Sequence, residues 1–372
     1  MSNNKLSKLM LIVMAVLLAA VMTLGGCGSD SKEDSKEKKS EQSNDSSNKT
    51  REFIDDSGRK VQIPGKITKV VASGHVAQII LYALAPDIII ASAGKGTDDE
   101  KKYLPKKHLN MPVVGSFFGQ KDLNYEERAK LSPQLIIDVG EAKPSMKSDL
   151  KNIEEKTGIP AVHIDAEFNT MDKAFTRAGE LTGRKKQAGK LAAYCKDAYE
   201  QAAKTLKKTG KKKRVIYCTQ EDGLSVLAKD SYHSQIVDMM GDNVAVLKNP
   251  SSKGTGDEVN IEQIMKWDPE IIIFGPGSYY EKAGKDPSWK TLSAVKANRY
   301  YEVPREPYNW MDTPPSSNRI LGLLWITELL YPDEADFHMK EKVKEYFDLF
   351  YHYDLSEKTY KELVKNSLMK KD

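Results

Sequence analysis

Between Arg184 and Lys208 apolar residues return at steps of three and four. Ala188, Leu191, Ala192, Cys195, Ala198, Tyr199, Ala202 and Leu206 fall on one face of a helix, among Lys, Gln and Glu residues that favour the helical state. Thr182-Gly183 separates this segment from a shorter helix before it. Thr209-Gly210 ends it, and the Lys-rich last turns suit a helix C-terminus. At a rise of 1.5 Å per residue such a helix reaches roughly 35–40 Å, the width of a small domain.

The pattern before this helix returns after it. Residues 124–138 read NYEERAKLSPQLIID and residues 260–274 read NIEQIMKWDPEIIIF. Asn124/Asn260, Glu126/Glu262, Lys130/Lys266, Pro133/Pro269, Ile136/Ile272 and Ile137/Ile273 correspond. Each copy predicts a short helix capped by Asn, then a strand introduced by Pro and apolar almost throughout. A strand apolar on both faces belongs in a parallel sheet covered on both sides. A second pair agrees: the strand 70–72, Gly74-His75 and a helix over 77–84 mirror the strand 215–218, a loop, His233 and a helix over 235–240. The expectation is two α/β lobes joined by one helix. Further strands are predicted at 88–92, 113–115, 135–139, 161–165, 224–227, 271–274 and 300–303, and closing helices at 316–330, 337–351 and 356–366.

Composition narrows the class. The 372 residues are 40% hydrophobic and 30% charged, near globular values, with a net charge of +4 that is too small to argue for nucleic acid. Residues 1–27 read as a signal peptide: Lys5 and Lys8, an apolar run over 9–22, then Leu24-Gly25-Gly26-Cys27. The last four resemble the lipobox of bacterial lipoproteins. That implies lipid on Cys27 as the mature N-terminus and a membrane partner; the alternative is a retained transmembrane anchor. Residues 28–50 hold no large apolar side chain and predict a disordered tether. The N-terminal lobe spans 51–170, opening with a hairpin around Ser57-Gly58. Connecting helices span 171–208, and a C-terminal lobe with terminal helices spans 209–372. Cys195 and Cys218 are open to either a disulfide or two buried thiols. No G-x-S-x-G, H-E-x-x-H or P-loop occurs.

The order of these parts, with VVASGHVAQIILYALAPDIII at 70–90 and VPREPYNWMDTPPSSNRILGLLW at 303–325, resembles the solute-binding proteins of iron-chelate and cobalamin ABC importers. The likeness covers residues 51–331. It implies an α/β fold of two Rossmann-like lobes with parallel-rich sheets, connected by a single long α-helix and closing little on the ligand. It implies a monomeric, lipid-anchored extracytoplasmic receptor with no catalytic activity and no cofactor, handing a metal chelate to an ABC permease dimer with its ATPase. Ferric siderophore leads the ligand classes; haem, cobalamin or a molybdate-like oxyanion stay open. The resemblance also implies that Glu126 and Glu262, one per lobe, dock into the permease. Members carry Asp-Arg before the Pro pair, where this chain has Asp312-Thr313; Arg319 matches.

Ligands of open α/β sheets sit at the carboxyl ends of the strands. The loops there supply His75, Lys95, Phe117, Phe118, His233, Tyr279, Tyr280, Tyr308, Trp310 and Arg319 as candidate ligand-binding residues. Aromatic rings suit a bulky chelate, and matching histidines on the two lobes could reach its metal. The rival reading is a surface metalloenzyme holding a metal with His75, His233 and Glu141.

Overall fold

The structure is a computed structural model and describes residues 49–118 and 130–368. Cys27, Glu126, the signal peptide and most of the tether lie outside the described residues. The chain opens with an antiparallel hairpin of β1 (Thr50–Ile54) and β2 (Lys60–Pro64). Asp55 shapes its turn, accepting from the Ser57 hydroxyl and the Arg59 amide, and Gly58 takes a positive φ of 80°.

The first lobe is built on three parallel strands in the order β3 (Val70–Ala72), β4 (Leu135–Gly140) and β5 (Ala161–Asp165). Helices α1 (His75–Leu84) and α2 (Met146–Thr157) lie on opposite faces. The strands expected at 88–92 and 113–115 are reduced to single parallel bridges, Val70 with Ile89 and Ser92 with Val113. Pro112 carries no amide hydrogen, so it cannot extend that ladder.

Helix α3 (Met171–Thr182) ends on Gly183, left-handed at φ 74°, and α4 (Lys185–Lys208) is the long connector in one uninterrupted piece. The two helices cross closely. A Cβ on Gly179 would come within 2.3 Å of the Ala188 Cβ.

The second lobe centres on β6 (Arg214–Thr219). Its neighbours are β7 (Ser225–Val226, antiparallel) and, parallel to it, β8 (Asp242–Asn243) and β10 (Ile271–Phe274). β9 (Asp257–Glu258) pairs with β7, and β11 (Tyr300–Glu302) with β10. Helices α5 (Gln235–Met240) and α6 (Ile261–Trp267) belong to this lobe; Asn260 caps α6 by accepting from the Gln263 amide at 2.8 Å, as the repeat predicts. Three helices close the chain: α7 (Asn318–Leu330), α8 (Met339–Tyr351) and α9 (Glu357–Leu363). Among the described residues no helix is long and apolar enough to cross a membrane.

Period-2 alternation tells how the lobes are joined. Val71, Ile136, Ile216 and Ile272 face outward, into small cores private to each lobe. Val70, Leu135, Ile137, Val215, Ile271 and Ile273 face inward, into one continuous core that also takes α1, α3, α4, α7 and α8. Each fully buried aliphatic side chain there is worth ~1.5–3 kcal/mol. The final helices, expected with the second lobe, pack across both: Tyr82 of α1 donates to the Tyr351 carbonyl, and Tyr194 of α4 donates to the Lys342 carbonyl at 2.8 Å. Cys195 and Cys218 are free, buried thiols in separate cores, and burial pushes the pKa of both upward.

Candidate ligand cleft

The carboxyl ends of β3, β4, β6 and β10 open on the same side, and the loop after β11 crosses to meet them. Between them lie two adjoining chambers of about 650 Å³ and about 490 Å³. His75, the first residue of α1, lines both.

The larger chamber is walled by the second lobe through Thr219–Glu221, Gly275–Ser278 and the 305–314 loop. At its floor Tyr217 is buried, and its hydroxyl accepts from the Asn309 amide at 3.2 Å. The first lobe supplies His75, Lys95 and the 97–100 segment. This segment and the 305–314 loop are fastened together. Arg305 Nε donates to Asp99 Oδ2 at 2.6 Å, and the Tyr308 hydroxyl to Glu100 Oε1 at 2.7 Å. The Tyr103 hydroxyl donates to Glu306 Oε2 at 2.6 Å, and Lys102 pairs with the same carboxylate. Burial, with Glu100 alongside, holds the Tyr308 phenol well above its ordinary pKa.

In the smaller chamber Ser73, Asp138, Glu141, Lys143 and Phe118 of the first lobe face Tyr232 and His233 of the second. Asp138 ties this floor together. It accepts from the Ser73 hydroxyl, and its other oxygen lies 2.6 Å from His163 Nδ1. His233 Nδ1 is held by Asp312 Oδ1, whose second oxygen accepts from the Thr313 hydroxyl at 2.9 Å. A carboxylate on one ring nitrogen fixes the imidazole and raises the basicity of the other. Glycines make room for both cleft histidines: a Cβ on Gly94 would lie 2.6 Å from His75 Cε1, and one on Gly254 3.1 Å from His233 Cε1.

The residues expected from sequence divide. His75, Lys95, Phe118, His233 and Tyr308 line the chambers. Phe117 is buried in the first lobe's private core. Tyr279 lies beside Trp289 at 5.4 Å and donates to Asp286, and Tyr280 lies beside Tyr300 at 5.5 Å. Both pack on the second lobe's private core and line neither chamber.

Trp310 corrects the picture most. It is 0% exposed, its Nε1 donates to the Glu306 carbonyl, and its own carbonyl rests on Gly322, where a Cβ would come within 2.2 Å. The loop turns Tyr308, Asn309 and Asp312 toward the cleft and sinks Trp310 and Met311 into the shared core. Arg319 also lines neither chamber. It is 1% exposed, donates to Gln235 Oε1 at 3.0 Å and lies 5.3 Å from the rings of Phe168 and Tyr232. Burial lowers its pKa. Glu262 is exposed in the first turn of α6, away from both chambers.

Sequence reasoning passed over Tyr217, Tyr232 and the Asp99–Arg305 and Glu100–Tyr308 contacts. Tyr217 carried a signal, as an inward-facing residue near the carboxyl end of a strand. Among the described residues no three His, Cys, Asp or Glu side chains come together in a way that could hold a metal ion; His75, His233 and Glu141 do not form such a set.

The family model described as periplasmic binding protein matches residues 70–307. The chain is 28% identical over 330 residues to the ABC transporter substrate-binding lipoprotein YvrC of Bacillus subtilis, covering 86% of this chain and 96% of that one. It is 24% identical over 313 residues to the Fe(3+)-citrate-binding protein YfmC of Bacillus subtilis, covering 82% and 91%. An ABC transporter solute binding protein from Sulfurospirillum deleyianum superposes with a TM-score of 0.76 at 27% identity, covering 85% of this chain and 99% of that one.

Proposed function

Since the chain belongs to the periplasmic binding protein family, whose members are solute-binding proteins and not enzymes, we propose that it is the lipid-anchored, extracytoplasmic receptor of an ABC importer for a ferric chelate. It is a substrate-binding protein of an ABC transporter. The observation that carries the ligand class is the pairing of His233 with Asp312 at the cleft, with no set of side chains among the described residues able to hold a bare ion. One oriented imidazole can complete the sphere of a metal that arrives wrapped in its own chelator. His75 faces the same chamber from the other lobe. Iron binding in the name of one relative supports the choice of metal.

Isothermal titration with matched iron-loaded and iron-free chelators tests this. Loaded forms should bind and iron-free forms should bind at least tenfold more weakly. Equal binding of both, or no binding of any ferric form, removes the ferric reading. Mass spectrometry of the membrane-associated protein should show Cys27 as a lipid-bearing N-terminus, and Cys27→Ser should release the protein from the membrane.

A further inference from the structure

The charges of the two chambers do not balance. Among the described residues, Asp99, Glu100, Asp138, Glu141, Glu221 and Asp312 are six carboxylates on the lining, and Lys95, Lys143 and Arg305 are the Lys or Arg side chains there. The cations are also poorly placed for a polyanion. Arg305 is tied to Asp99 through Nε, and Lys95 and Lys143 are exposed, as are Glu221 and Glu141. Arg319 is sealed behind Tyr232. Position 313, next to Asp312 on the larger chamber, holds an exposed Thr whose hydroxyl is given to Asp312.

Recognition of carboxylate-rich chelates rests on guanidinium forks presented to the ligand, and the one guanidinium on the described lining, that of Arg305, is anchored beside the Asp99 carboxylate. Resting on the ferric-chelate reading, we propose that this cleft selects chelates without net negative charge: neutral or cationic ferric complexes, such as trihydroxamates, over ferric citrate or a triscatecholate. The anionic lining raises the local concentration of a cationic complex and repels an anionic one. The same carboxylates accept hydrogen bonds from a pendant ammonium or from amide N–H groups. Asp312 and Glu221 are the specificity residues, with Thr313 the position where a second guanidinium would enter the larger chamber.

Titration of the full chain with four probes decides it: ferrioxamine B, which carries one positive charge; neutral ferrichrome; ferric citrate; and ferric enterobactin, which carries three negative charges. The cationic or neutral probe should bind at least a hundredfold tighter than either anionic one. Tighter binding of citrate or enterobactin overturns the charge selection and leaves the ferric-chelate reading standing. Failure of all four to bind overturns both. In a folded Thr313→Arg variant, ferric citrate should gain at least tenfold and ferrioxamine B should lose affinity; unchanged citrate binding overturns the role given to this position. Glu221→Gln should narrow the gap between ferrioxamine B and ferric citrate severalfold, and an unchanged gap counts against the rim carboxylate.

Discussion

Arg305 of the second lobe and Asp99 of the first meet across the cleft, Nε to Oδ2, at 2.6 Å. The Arg305 side chain is 61% exposed, so this pair adds little to global stability, about 0–1 kcal/mol. Its effect is local, because it pins the 97–103 segment to the loop after β11. Arg305→Ala combined with Tyr308→Phe should leave the melting temperature within a few degrees of the parent. Amide exchange over 97–103 should speed up at least tenfold. Unaltered exchange there would show that the segment is held by something else.

Trp310 is a stability residue. Truncating a fully buried Trp costs about 3–5 kcal/mol, and its Nε1 bond to the Glu306 carbonyl goes with it. Trp310→Ala should lower the unfolding free energy by that amount, read from a lower denaturant midpoint at unchanged slope. Where the protein remains folded, ligand affinity should fall less than in Tyr308→Ala, whose ring faces the larger chamber. The reverse order would put the indole in contact with ligand.

Asp312→Asn keeps the shape of the buried side chain and removes its charge. The amide can present its NH2 to His233 Nδ1, which favours the tautomer with its proton on Nε2, the wrong one for reaching a metal. Loss of a supporting partner of this kind typically costs 10–100-fold in affinity. Titration with the tightest ferric probe should show that loss, with circular dichroism unchanged. Full affinity in the variant would leave His233 without a coordinating role.

His108 gives the stability a pH dependence. It is buried edge-on to Tyr82 at 4.4 Å, and burial lowers its pKa from 6.5 to about 4. The unfolded chain therefore takes up a proton near pH 6.5 that the folded chain refuses until about pH 4. Stability contributed by the neutral ring is fully present above 6.5, falls as pH drops through that window, and is smaller by about 3 kcal/mol below it. Urea melts between pH 7 and pH 4 should follow this slope, and His108→Gln should flatten it. A slope that survives the substitution belongs to other groups.

Glu262 stands exposed on a helix end where an acid is worth only ~0.3–1 kcal/mol to the fold. If Glu262 docks into the permease, as the family resemblance implies, Glu262→Lys should abolish uptake in cells while ligand affinity and melting temperature stay nearly unchanged. Glu126→Lys should do the same. Normal uptake by the double variant would leave both residues with a capping role alone.

Elements with a period were legible in the sequence. The long helix expected over 184–208 spans Lys185–Lys208, and the strand expected at 271–274 is β10. Apolar spacing is imposed by burial, and burial is what the fold repeats. The cleft was less legible because loops have no period. Tyr308 and Trp310 are two residues apart and of similar character, yet one faces ligand space and the other the core; Gly322, pressed against the Trp310 carbonyl, decides the difference from another element. The Asp99–Arg305 contact joins residues 206 apart and leaves no local trace. Arg319 did carry a signal. The helix around it is apolar on almost every side, and a helix of that kind is buried all round, its charges included.

The single core beneath both sheets has a consequence for traffic at the membrane. If that core holds the lobes as one piece, a transporter would meet the same outer surface whether the cleft is empty or full. Vacant receptors would then compete with occupied ones for the same seat. Extra copies speed delivery only while the ligand is abundant enough to fill them; when it is scarce, surplus receptors lengthen the queue.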